Sequence, residues 1–124
     1  MPKAKIGEIE IYYEEHGQGE PLMMILGLGQ DTATWGYQIS EFSDQFRVIV
    51  FDNRDSGKSS SCNEIYTTET MAQDTIGLMD YLGIDRVNLL GISMGGMIAQ
   101  QVALIDSERV SSLILASTTS WGDG

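Results

Sequence analysis

Four short apolar runs, each bounded by turn residues and separated by helix-forming stretches, constrain this chain more than any other feature. They are Leu22–Leu26, Arg47–Phe51, Val87–Ile92 and Val110–Ala116. A strand exposed on one face alternates polar and apolar residues, whereas these runs do not, which is the pattern of strands covered on both faces. Between the third and fourth runs lies Met94–Ile105, apolar on nearly all sides (Met94, Met97, Ile98, Ala99, Val102, Ala103, Ile105) and so expected to be a buried helix. Before the third run, Met71, Thr75, Leu78, Met79 and Leu82 form one stripe at helical spacing, with Thr67 or Thr68 to cap its start and Gly83 to stop it. A weaker helical spacing joins Trp35, Ile39, Phe42 and Phe46. Alternation of buried strands with helices predicts an α/β fold: a mostly parallel sheet with flanking helices.

The N-terminus follows another rule. Ile9, Ile11 and Tyr13 alternate with Glu8, Glu10, Tyr12 and Glu14 after a turn at Ile6-Gly7-Glu8, which predicts an antiparallel hairpin with one buried face. With 124 residues and no internal linker, the chain is expected to form a single domain over 1–124.

Composition removes several classes of function. Against 7 Lys and Arg stand 18 Asp and Glu, a net charge of −11 that repels nucleic acid and anionic membrane, so neither is an expected partner. Cys62 is the lone cysteine, which leaves no disulfide framework and no thiolate metal site; no metal or cofactor is expected. The start of the chain lacks a signal-like apolar run, so the expectation is a cytoplasmic protein.

The chemistry-bearing segment is Gly91-Ile92-Ser93-Met94-Gly95. It matches G-x-S-x-G, in which a serine sits on a very sharp turn between a strand and a helix. Side chains at Gly91 or Gly95 would collide with the flanking backbone, and the turn lifts Oγ clear of the sheet. The helix N-terminus then points at the serine, and the Met94 amide is placed to stabilise an oxyanion. Such a five-residue match arises by chance in Gly- and Ser-rich chains; its position at the end of an apolar strand and the start of an apolar helix gives it weight.

From Ile6 to Ala116 the chain resembles the first half of the α/β-hydrolase family. Gly27-Leu28-Gly29 after the first buried strand is similar to the family's oxyanion loop, and the resemblance implies that the Leu28 and Met94 amides form the hole. Asp52-Asn53-Arg54-Asp55-Ser56-Gly57-Lys58-Ser59 is similar to the family's D-x-R-G-x-G-x-S segment, with Asp55 where glycine is usual, and a structural role is implied for it. Leu26 stands where many members carry a loop-organising histidine. The resemblance implies a hydrolase acting on a small-molecule carboxylic ester or lactone through acylation of Ser93. Dehalogenases and epoxide hydrolases of this fold use aspartate at the elbow and fit less well.

In the family the order is Ser, acid, His; the acid usually lies after a strand beyond Val110–Ala116, and the histidine later still. The one histidine of this chain, His16, precedes the elbow and is expected at the surface in the turn before the first buried strand; Asp123 could serve as an acid. A truncated α/β-hydrolase fold is therefore expected, lacking the half that carries the triad acid and base. A serine hydroxyl without a base is a poor nucleophile, and loss of the base in one serine protease costs roughly 10⁶ in turnover. The chain alone should be feeble or inactive. By the family's strand order Val110–Ala116 lacks one neighbour, which predicts an apolar sheet edge at Leu113, Ile114 and Leu115 and a homo-oligomer formed through it. The competing reading is a non-catalytic pseudoenzyme or assembly subunit that binds a partner through that edge. A nucleotide-binding domain is disfavoured, because Gly27-Leu28-Gly29 lacks the third glycine of a dinucleotide loop and no P-loop lysine follows.

Overall fold

In the computed structural model, residues 3–7, 9–26, 36–54, 59 and 67–116 are described. The chain runs β1 (Lys3–Ile6), β2 (Ile9–His16), β3 (Glu20–Ile25), α1 (Gly36–Phe42), β4 (Phe46–Phe51), α2 (Thr68–Leu82), β5 (Val87–Ile92), α3 (Met94–Ile105), a 3₁₀ turn at Ser107–Arg109, and β6 (Val110–Ala116). The strands form one sheet in the order β1-β2-β4-β3-β5-β6. β1 and β2 are the expected antiparallel hairpin, β2 pairs antiparallel with β4, and β4, β3, β5 and β6 are parallel.

This order fixes where the helices go. From β3 the chain steps to β4 on one side, and then α2 carries it back across β3 to β5 on the other side. Parallel crossovers are right-handed, so reversing the direction of the step moves the helix to the opposite face. Accordingly α1, through Ile39 and Phe42, covers Leu22, Met24, Val48, Val50, Leu90 and Ile92. Helices α2 and α3 cover the other face, where Met71, Leu78, Met79, Ile98, Ala99 and Val102 pack on Met23, Ile25, Ile49, Phe51 and Leu89.

Helix α2 starts and stops as its sequence predicts. Thr67 accepts from the Thr70 amide at 3.2 Å, and the Thr70 hydroxyl accepts from the Thr67 amide at 3.3 Å, a reciprocal capping box. Gly83 ends the helix at φ 71°, in the left-handed region that favours glycine.

Four local expectations are corrected. Helix α1 ends at Phe42, and Phe46 opens β4, because the turn at residues 43–45 breaks the spacing that the two phenylalanines share. Tyr12, on the polar face of the hairpin pattern, is only 5% exposed; its hydroxyl donates to Glu14, so it is buried with its polar tip satisfied. His16 is the last residue of β2, paired with Val48, and lies in the strand before the turn. Finally, α3 is not buried all round: Leu104 is 76% exposed and Ile105 is also exposed, because nothing described packs beyond them.

Candidate active site at the strand ends

The parallel strands β4, β3 and β5 all end at one edge of the sheet, and the chain reverses its direction of travel between β3 and β5. Open α/β sheets bind ligands in the crevice at this switch point, where helices on opposite faces lead away from neighbouring strands. Ser93 lies there, between the last residue of β5 and the first of α3.

Its backbone is the clearest local signal. Ser93 has φ 59° and ψ −125°, and it is the one non-glycine residue with positive φ among those described. L residues avoid this conformation at a cost on the order of 1–3 kcal/mol, and it persists only where surrounding structure enforces it. Two hydrogen bonds hold the turn: the Ser93 amide donates to the Ala116 carbonyl at 3.0 Å, and the Gly96 amide donates to the Ser93 carbonyl at 2.9 Å. Ser93 itself is exposed.

The two motif glycines are required by space. A Cβ on Gly91 would stand 2.5 Å from the Gly95 carbonyl oxygen and 2.6 Å from the Gly96 Cα. A Cβ on Gly95 would stand 1.9 Å from the Ile25 carbonyl oxygen and 3.0 Å from that of Leu26. Helix α3 therefore begins in direct backbone contact with the end of β3. Met94, the first residue of α3, is partly buried and packs against the core. Leu28, expected to give the second amide of an oxyanion hole, lies outside the described residues, as do Cys62 and Asp123.

The resemblance implies a structural role for the segment after β4, but sequence reasoning does not name the partners that fasten this edge together. Asp52 and Asn53 follow β4 and are each 1% exposed. The Asn53 Nδ2 donates to the Leu26 carbonyl at 2.9 Å, fixing the peptide at which β3 ends. The Tyr12 amide donates to the Ser59 hydroxyl at 2.9 Å, and that hydroxyl donates to the Asp52 carbonyl. Arg54 makes a two-pronged contact with Asp74 of α2, Nε to Oδ2 at 2.7 Å and Nη2 to Oδ1 at 2.8 Å, with both side chains largely buried. One clue stood in the sequence: Asp74 interrupts the inward stripe of α2, three places after Met71. Asp52, Asn53, Arg54 and Ser59, the described residues after β4, thus act as struts.

His16 is far from the elbow. It lies level with Val48, Leu22 and Asn88, whereas Ser93 lies past the far end of β5, with two strands between β2 and β5. At about 4.8 Å per strand and 3.3 Å per residue, the two are roughly 15 Å apart in each direction. Its Nε2 is 2.9 Å from Glu14 Oε1, the carboxylate that also accepts from Tyr12. That hydrogen bond, with burial and the charges of Glu14 and Asp52, pushes the Tyr12 phenol up to about 12. These groups serve the hairpin and do not reach the elbow.

A model of the alpha/beta hydrolase fold family matches residues 20–123. The chain is 34% identical over 113 residues to 3-oxoadipate enol-lactonase 2 of Acinetobacter baylyi, covering 90% of this chain and 42% of that protein. Among solved structures, a thermophilic esterase from Thermogutta terrifontis superposes with a TM-score of 0.94 at 37% identity, over 100% of this chain and 48% of that one. The enol-lactonase from Burkholderia xenovorans gives a TM-score of 0.84 at 33% identity, over 88% and 44%. The chain spans about half the length of the proteins it matches.

Proposed function

The chain belongs to the α/β-hydrolase fold family, and from that premise we propose that it is built for hydrolysis of a carboxylic ester or lactone through an acyl-Ser93 intermediate. One observation carries the reading: an exposed serine held at φ 59° on the turn between a buried strand and a helix, at the switch point of the sheet. A strained residue is retained where its geometry has a use, and here the turn presents Oγ to the crevice beside the N-terminus of α3. In the proposed reaction Oγ attacks the carbonyl carbon, the carbonyl electrons move to oxygen, and the Met94 and Leu28 amides stabilise that oxyanion. Collapse expels the alcohol, or opens the lactone, and water then releases the acid.

The attacking hydroxyl must lose its proton to a base. His16 lies at the opposite end of the sheet, so a base has to come from outside the described residues. The lactonase and esterase names of the matched proteins support the substrate class.

Intact-mass labelling with a fluorophosphonate probe, run beside Ser93→Ala, tests the assignment. The expected result is a single adduct that is absent from Ser93→Ala. An adduct that survives in Ser93→Ala overturns it. No adduct at all on folded protein favours a non-catalytic role, in which the exposed edge at β6 is the working surface.

A further inference from the structure

The two amides proposed for the oxyanion come from different parts of the chain, so their spacing depends on how the end of β3 is held against the start of α3. Extending the register past Met24 with Val50 and Ile25 with Gly91 sets Leu26 level with Asp52 on one side and with Ile92 on the other. Leu26 is thus one strand away from the turn that carries Ser93, and it is fully buried. Its carbonyl has two close neighbours. From one side the Asn53 Nδ2 donates to it at 2.9 Å. On the other lies the first turn of α3, where a Cβ on Gly95 would come within 3.0 Å of it.

Asn53 is held so that it can direct this carbonyl and not merely follow it. The Asp52 amide before it donates to the Tyr12 carbonyl at 2.9 Å, and Arg54 after it makes the two-pronged contact with Asp74 of α2. Asn53 itself is 1% exposed, so its side chain is hemmed in by packing. Peptide planarity carries the constraint forward. Once the Leu26 carbonyl is fixed in place and direction, so are the next nitrogen and Cα, which leaves two dihedral angles between Asn53's hold and the Leu28 amide. The accepted hydrogen bond also polarises that same peptide.

We propose that Asn53 is a positioning residue for the oxyanion site. Through the Leu26 carbonyl it sets the spacing between the segment that carries Leu28 and the N-terminus of α3, which carries the Met94 amide. The proposal rests on the acyl-serine reading above. Asn53 stands two strands from Ser93, roughly 10 Å, and touches no reacting atom, so its loss should slow the charge-developing step without abolishing it.

Rates of Ser93 phosphonylation by a fluorophosphonate probe test this, on the full chain and at a temperature where circular dichroism shows each variant folded. Asn53→Ala should label about tenfold more slowly, as should Asn53→Asp, which keeps the size and loses the donor on ionisation. A donor displaced should cost less than the roughly 10²–10³ of a donor removed. Ile84→Val alters a buried side chain at the opposite end of the sheet, between α2 and β5. It should lower the unfolding temperature and leave the labelling rate unchanged, which separates positioning from general loosening. The unmutated protein gives a further readout: the Asn53 side-chain amide protons should shift in NMR spectra when Ser93 is phosphonylated. Should neither Asn53 variant fold, that shift decides. Asn53 variants that label at the parent rate, or an equal slowing in Ile84→Val, overturn the proposal and leave the acyl-serine reading standing. An Asn53 signal indifferent to the adduct does the same. No labelling of the parent fails the acyl-serine reading, and this proposal falls with it.

Discussion

Strands β5 and β6 are neighbours, parallel, similar in length and free of charge, yet one is almost wholly buried and the other is the most exposed of the described strands. On a single rung Leu89 is fully buried and its partner Leu113 is 39% exposed. Side-chain chemistry does not separate them. β5 has β3 and β6 on its two edges, α3 on one face and residues packed with α1 on the other, whereas β6 has a neighbour on one edge among the described strands. The comparison teaches that burial belongs to a strand's place in the sheet, and that a run like Val110–Ala116 states a requirement for cover without supplying it.

The largest blow falls at the covered end of β5. Gly95→Ala forces a Cβ to 1.9 Å from the Ile25 carbonyl oxygen, backbone against backbone, and neither α3 nor β3 can retreat without opening the core. Loss of the cooperative thermal transition is expected; a transition within a few degrees of the parent would break the view that β3 and α3 are locked together. Next comes the rung itself. Leu89→Ala should cost about 2–5 kcal/mol, and Leu113→Ala less than about 1 kcal/mol. Equal losses in urea unfolding would erase the distinction between the strands. The smallest effect should be a gain: Ser93→Gly removes the β-carbon from a positive-φ position and should stabilise by about 1 kcal/mol, offset in part by the freer unfolded chain. Unchanged or lowered stability would show that the elbow is relaxed.

Much of this fold is legible in the sequence because periodicity reports faces. The strands, α2 with its cap at Thr67 and stop at Gly83, and the turn at Ser93 follow from local pattern, and the space around Gly91 and Gly95 follows from the chemistry of so tight a turn. Periodicity does not report partners. Asn53 meets Leu26, and Arg54 meets Asp74, across 27 and 20 positions of chain, so nothing near either residue announces the contact. Nor does it report missing neighbours: Leu104 belongs to an apolar helix and is nonetheless the most exposed large apolar side chain among the described residues. The exposed edge at β6 came from comparing strand order with that of the resembled family, which is a statement about topology.

The hydrogen bond from the Ser93 amide to the Ala116 carbonyl makes the elbow and the outer strand parts of one thermodynamic cycle. If occupancy of the β6 edge shifts how tightly Ala116 is held, it shifts the free energy of the Ser93 turn. By reciprocity, a covalent adduct on Ser93 then changes the free energy of pairing at β6 by the same amount. Hydrogen exchange of the β6 amides before and after acylation of the serine would read out that exchange directly, with the strand as the messenger in both directions.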